Sequence, residues 1–154
     1  MEYFSVHEIE PEWDYWQLFF ITDYITGMRS DASSTSHSLI RDVQKPSDIS
    51  YISTITYQKG ASVLRMFENT LAENFFKKLR EYLKENELKS ILSQVLLNKL
   101  GEIDNLPDKL PVKEFLDSWT KQAGFPYLNI SIQDNSYSVV QKRFLANGDE
   151  DMTS

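Results

Sequence analysis

The spacing of apolar residues changes at Gly124-Phe125-Pro126, and that change decides which architectures are open to this chain. Before it, apolar side chains recur every three or four positions, the period of an α-helix; after it they alternate or cluster as in a β-strand. Pro11 and Glu12 suit the first turn of a helix. Trp13, Trp16, Phe20, Tyr24 and Met28 follow at helical spacing, which predicts one amphipathic helix over 11–29 with the tryptophans in the core. A second helix is predicted over 57–71, with Gly60, Val63, Leu64, Phe67 and Leu71 on one side. A third, over 72–86, buries Phe75, Phe76, Leu79 and Leu83 beneath a lysine-rich face. A fourth, over 89–100, carries Ile91, Leu92, Val95 and Leu96, with Gly101 placed to cap it. A fifth, over 112–123, turns Phe115, Leu116 and Trp119 inward and stops at Gly124 and Pro126.

Beyond the switch, 127–133 and 137–145 flank Asp134-Asn135-Ser136, which reads as a β-hairpin. The expected fold is therefore mainly α, a helical bundle with a trailing hairpin. Two strands alone are marginal in water, so the hairpin is expected to join a sheet that continues beyond it. Residues 30–38 and 46–54 read as loops, and 146–154 as a loose acidic tail.

With 154 residues, 41% of them hydrophobic and 25% charged, the composition is that of a globular domain with a real core. A net charge of −7 and no basic stripe argue against a nucleic-acid partner. No run approaches the roughly 20 apolar residues of a membrane-spanning helix, and Met1-Glu2-Tyr3-Phe4 does not read as a signal peptide. Cysteine is absent, which excludes disulfide and thiolate chemistry.

Familiar catalytic patterns fail on inspection. His7-Glu8 starts an H-E-x-x-H match, but the fifth position is Pro11, which cannot ligate a metal. His37 lies far away, and two histidines with scattered carboxylates make a weak metal site. Ser34 and Ser36 neighbour His37 without a nucleophile elbow. Gly60 lacks the neighbouring glycines of a phosphate loop and reads as a close-packing position. Lys77, Lys78, Arg80 and Lys84 read as a solvated face. Asn129-Ile130-Ser131 fits a glycosylation sequon, inside an expected strand.

The segment Thr56 to Met66, TYQKGASVLRM, sets a tyrosine at a helix mouth, then Lys-Gly, then an apolar helical face. It resembles the tyrosine segment of the aminopeptidase N family of zinc metallopeptidases, the gluzincin aminopeptidases. Further similarity runs in order along the chain. Glu2-Tyr3 resembles the end of the helix that carries the third zinc ligand, and Asp31-Ala32 to Ser36-His37 an acidic-to-Ser-His segment. Val43, Pro46 and Ile49 match the loop that follows. Phe76 and Leu79–Leu83 come next, then LDSWTKQAGFP at Leu116–Pro126, and QKRFL at Gln141–Leu145 in the small β-domain. There are departures: a loop one residue shorter between Ile49 and Tyr57, Ser38 in place of a proline, and Leu96-Leu97 in place of a tryptophan.

The resemblance implies a zinc-assisted hydrolysis that releases N-terminal residues from peptides. Family members hold zinc through two histidines and a glutamate, and use further glutamates to activate water and grip the substrate amine. None of those ligands has a match here, so none is expected to make a zinc site, and the chain alone is expected to be inactive. Tyr57 matches the tyrosine that donates a hydrogen bond to the tetrahedral intermediate; a phenol is neutral at neutral pH and can donate. Without the resemblance, Tyr57 reads as a helix-start tyrosine packed on the core. Ile52 stands where the family often has an aromatic lining the substrate pocket. The implied organisation is 1–125 as helical part of a catalytic domain and 126–145 as the start of the next β-domain. A competing reading is a catalytically dead interaction module that docks on an intact homologue or a peptide, through exposed tryptophans and an orphan hairpin. Relatives occur at the plasma membrane, in extracellular and secretory settings and in the cytosol, so location stays open.

Overall fold

The computed structural model describes residues 2–41, 45, 54–103, 111–133 and 136–148. Helix α1 (Glu2–Ile9) is followed by a 3-10 turn, Pro11–Trp13, and by α2 (Tyr15–Phe19). A π-helical turn, Phe20–Tyr24, joins α2 to α3 (Ile25–Asp31). A second π-helical turn, Ile55–Lys59, runs into α4 (Gly60–Leu71). Then come α5 (Glu73–Glu85), α6 (Ser93–Gly101), α7 (Val112–Lys121) and an antiparallel hairpin of β1 (Pro126–Gln133) and β2 (Ser136–Arg143). The architecture is a helical bundle with a trailing hairpin, as the periodicity predicts.

One core joins α4 to α7: Val63, Phe67, Leu71, Phe75, Leu97, Leu100, Ile103, Val112 and Leu116 pack together. On α4 the buried positions descend in steps of four, Val63, Phe67 and Leu71, and Ile55 and Lys59 extend the same stripe upward through the π-helical turn. That turn is wider than an α turn, so residues four apart stay on one face instead of drifting around the helix.

Several sequence expectations change. The helix predicted from Pro11 begins at Tyr15, because Asp14 takes a left-handed conformation (φ 46, ψ 48) that ends the 3-10 turn. Aspartate enters this region more readily than most residues. The π-helical turn then shifts the stripe by one position. Phe19 is buried, whereas Phe20 and Trp13 stay exposed. Trp16 is half-buried in an aromatic cluster with Tyr3, Phe4 and Phe19, and the Arg65 guanidinium lies 3.7 Å above its ring. Helix α6 starts at Ser93, so Leu97 and Leu100 are buried while Ile91, Leu92 and Val95 stay exposed. Leu83 is exposed as well. Gly101 is the last residue of α6, and the chain leaves through Glu102 at φ −73 without a left-handed cap. Lys78 of the basic face of α5 is ion-paired, reaching Glu102 at 2.8 Å and Glu81 at 3.1 Å, and Lys99 of α6 reaches Glu85 of α5 at 2.8 Å.

Gly27, not Gly60, marks the close helix approach. A Cβ on Gly27 would lie 2.9 Å from the backbone nitrogen of Lys59, whereas one on Gly60 would make ordinary contact with Leu39 at 3.7 Å. The two π-helical turns pack together at this crossing. The hairpin is tied to the bundle at its base: Phe144 N–H donates to Phe125 O (2.9 Å), Ala146 N–H to Ala32 O (3.0 Å), and Arg143 to Ser33 O (3.1 Å).

Candidate active-site segment

Tyr57 lies midway along the second π-helical turn, between the buried residues Ile55 and Lys59. With both neighbours two positions away turned inward, the phenol is turned out, and it is 66% exposed. The core-packed alternative for this tyrosine does not describe the structure. Ile52, Val43, Pro46 and Ile49 lie outside the described residues.

Directly beneath Tyr57 in sequence, Lys59 is drawn into the protein by Asp31. Their charged atoms lie 2.7 Å apart, with the side chains 6% and 2% exposed. Every donor of the ammonium has an acceptor: Asp31 Oδ2, Gln122 O at 3.2 Å and Gly124 O at 3.2 Å. Asp31 Oδ1 accepts from the Gly124 N–H at 2.8 Å and from the Ser36 hydroxyl. Buried charges persist when their hydrogen-bonding capacity is filled in this way. The cluster pins the π-helical turn, the end of α3, the exit of α7 and the entry to β1 to one point. Gly124 serves it with φ +80, a conformation that favours glycine.

An open cavity of about 290 Å³ lies against this ion pair, walled by Tyr24, Met28, Val63, Met66, Trp119 and Phe125. Tyr57 is not among its lining residues.

Sequence reasoning missed the ion pair. A signal was present: Lys59 interrupts the stripe Ile55, Val63, Phe67, Leu71 at the same spacing of four, and a lysine in an apolar stripe requires a buried partner. Nothing local singled out Asp31, which meets Gly124 across 93 positions of sequence.

His7 stands beside Trp16, with ring centres 5.9 Å apart, and His37 donates from Nδ1 to Ser38 O at 2.8 Å. Among the described residues no three metal-ligating side chains converge.

Comparison with known proteins places this geometry in a family. The peptidase family M1 domain matches residues 1–119. Glutamyl aminopeptidase of Sus scrofa is 36% identical over 146 residues, covering 94% of this chain and 15% of the relative. Aminopeptidase M1-B of Oryza sativa subsp. japonica is 34% identical over 154 residues (96% and 17%), and aminopeptidase M1 of Arabidopsis thaliana 33% identical over 154 residues (96% and 16%). The chain spans about one sixth of the length of these relatives. With a family match over residues 1–119 and aminopeptidase relatives aligned over 94–96% of it, this chain belongs to the M1 peptidase family.

Proposed function

We propose that this segment supplies the oxyanion-stabilising phenol of a zinc aminopeptidase that removes N-terminal residues from peptides, with Tyr57 as the donor. The observation that carries the reading is the outward phenol on a turn whose flanking residues are buried. A hydroxyl aimed where negative charge develops on a scissile carbonyl, and held by a backbone that does not need to reorganise, favours the tetrahedral intermediate over the planar substrate. M1 peptidases are zinc-dependent. Zinc, where bound by such an enzyme, would polarise the scissile carbonyl, and Tyr57 would donate to the oxygen on which negative charge builds up. Residues 1–125 act as the helical part of the catalytic domain in this reading, and 126–145 open the β-domain that follows it.

Grafting tests the assignment. The matching segment of Sus scrofa glutamyl aminopeptidase is replaced by this chain, and turnover of an aminoacyl-anilide is followed. Tyr57→Phe in the graft lowers kcat by about 100- to 1,000-fold with little change in KM, the loss typical of one oxyanion donor. A graft that is active and indifferent to Tyr57→Phe refutes the role. The isolated 154-residue chain, supplied with zinc, shows no turnover; measurable zinc-dependent activity would overturn that part of the proposal.

A second reading, an interaction module without catalysis, is favoured by the apolar surfaces at Phe20-Ile21 and on the hairpin. Co-sedimentation with an intact M1 aminopeptidase separates the two.

A further inference from the structure

Three features hold the backbone that carries Tyr57. Gly60 N–H donates to Ile55 O, five residues back, which keeps Ile55–Lys59 in its π-helical form. The turn also lies hard against Gly27, where a Cβ would sit 2.9 Å from Lys59 N and 3.0 Å from Gln58 C. Finally, the Lys59 ammonium is held by Asp31 Oδ2 at 2.7 Å and by Gln122 O and Gly124 O, both at 3.2 Å. A lysine stem is flexible, but three acceptors from two other parts of the chain leave its ammonium one position. An apolar side chain in the same stripe would be about as stabilising as a buried ion pair. What the pair adds is uniqueness: one setting of the turn satisfies every partner.

We infer that Lys59 and Asp31 are positioning residues for Tyr57, fixing the turn in the setting that aims the phenol outward. This rests on the reading of Tyr57 as the donor to the tetrahedral intermediate. Such a donor works over a narrow range, about 2.7–3.1 Å from the developing charge. A displacement of about 1 Å caused by a remote substitution can cost about 100-fold in rate. The pair touches no reacting atom; it acts through the two residues of backbone between Lys59 and Tyr57.

A double-mutant cycle in the glutamyl aminopeptidase graft tests this. Lys59→Met lowers kcat at least about tenfold with KM within about twofold. In a Tyr57→Phe background it lowers kcat by less than about twofold, because the donor it positions is gone. The neutral pair Asp31→Asn with Lys59→Met strands no buried charge, so it recovers thermal stability relative to either single variant without recovering kcat. Leu100→Ala, which opens a cavity in the core outside the polar cluster, lowers thermal stability and keeps kcat wherever the enzyme stays folded. Amide exchange in the full 154-residue chain reads the turn without catalysis: with the neutral pair, the Gly60 amide exchanges at least about tenfold faster relative to that of Phe67. Equal losses from Lys59→Met with and without the Tyr57 hydroxyl overturn the inference while leaving Tyr57 as donor. So do recovery of kcat in the neutral pair, an equal kcat loss in Leu100→Ala, or unchanged exchange at Gly60. An active graft indifferent to Tyr57→Phe overturns both readings, and that variant alone tells the two failures apart.

Discussion

Asp31 and Lys59 form an ion pair 2.7 Å long inside the bundle, two residues from the exposed Tyr57. Taking two charges out of water costs several kcal/mol per ion, so the pair adds little net stability, but losing one partner strands the other. Asp31→Asn and Lys59→Met should each destabilise the chain by about 3–5 kcal/mol. The double variant should cost less than the sum of the two. Urea unfolding of the four proteins gives the coupling, and additive losses would mean that the charges do not interact.

Gly27 and Gly60 separate two meanings of a helical glycine. Gly27→Ala drives a methyl to 2.9 Å from the Lys59 nitrogen, a backbone atom that cannot swing away, and should cost about 1–3 kcal/mol. Gly60→Ala meets only Leu39 at 3.7 Å and should be neutral or stabilising by up to about 1 kcal/mol, through helix propensity. Thermal unfolding of both variants checks the contrast.

Ala72 links α4 to α5 at φ 50, ψ −134, a conformation glycine adopts at far lower cost. Ala72→Gly should raise stability by about 1 kcal/mol, relief of strain outweighing the greater freedom of the unfolded chain. A lower melting temperature for the variant would show that the connection is not strained.

Tyr57→Phe should leave the isolated chain's stability within about 0.5 kcal/mol, because the side chain is exposed. A large loss in denaturant unfolding would make the hydroxyl structural and remove the reason to assign it to catalysis.

The ion pairs between α5 and α6 give stability a pH dependence with a defined sign. Hydrogen bonds from Lys78, ahead of its charge, hold the Glu102 carboxyl below its ordinary value of 4.5. A lowered carboxyl stabilises the fold above that value, and the contribution disappears as pH falls through the folded-state value. Lys78, held up chiefly by Glu102, and Lys99, held up chiefly by Glu85, contribute below 10.5 and lose their contribution as pH rises past their folded values. Glu102 is half exposed and the two lysines keep partial contact with solvent, so the effect is small and salt-sensitive. Acidification should shift the unfolding midpoint of wild type more than that of Glu102→Gln, and high salt should close the gap.

Helix content, the switch to strands after Gly124 and the likeness of TYQKGASVLRM to a peptidase segment were legible in the sequence, because periodicity and short motifs are local. Helix edges and faces were less so. The left-handed Asp14 and the π-helical turn after Phe19 moved the buried stripe onto Phe19, and neither shows in apolar spacing. The partnership of Asp31 with Lys59 and Gly124, the closeness of Gly27 to the Lys59 backbone, and the outward setting of Tyr57 were decided by tertiary structure alone. Each depends on segments far apart in the chain arriving at one point, where burial makes a charge seek its counter-charge and leaves no room for a methyl group.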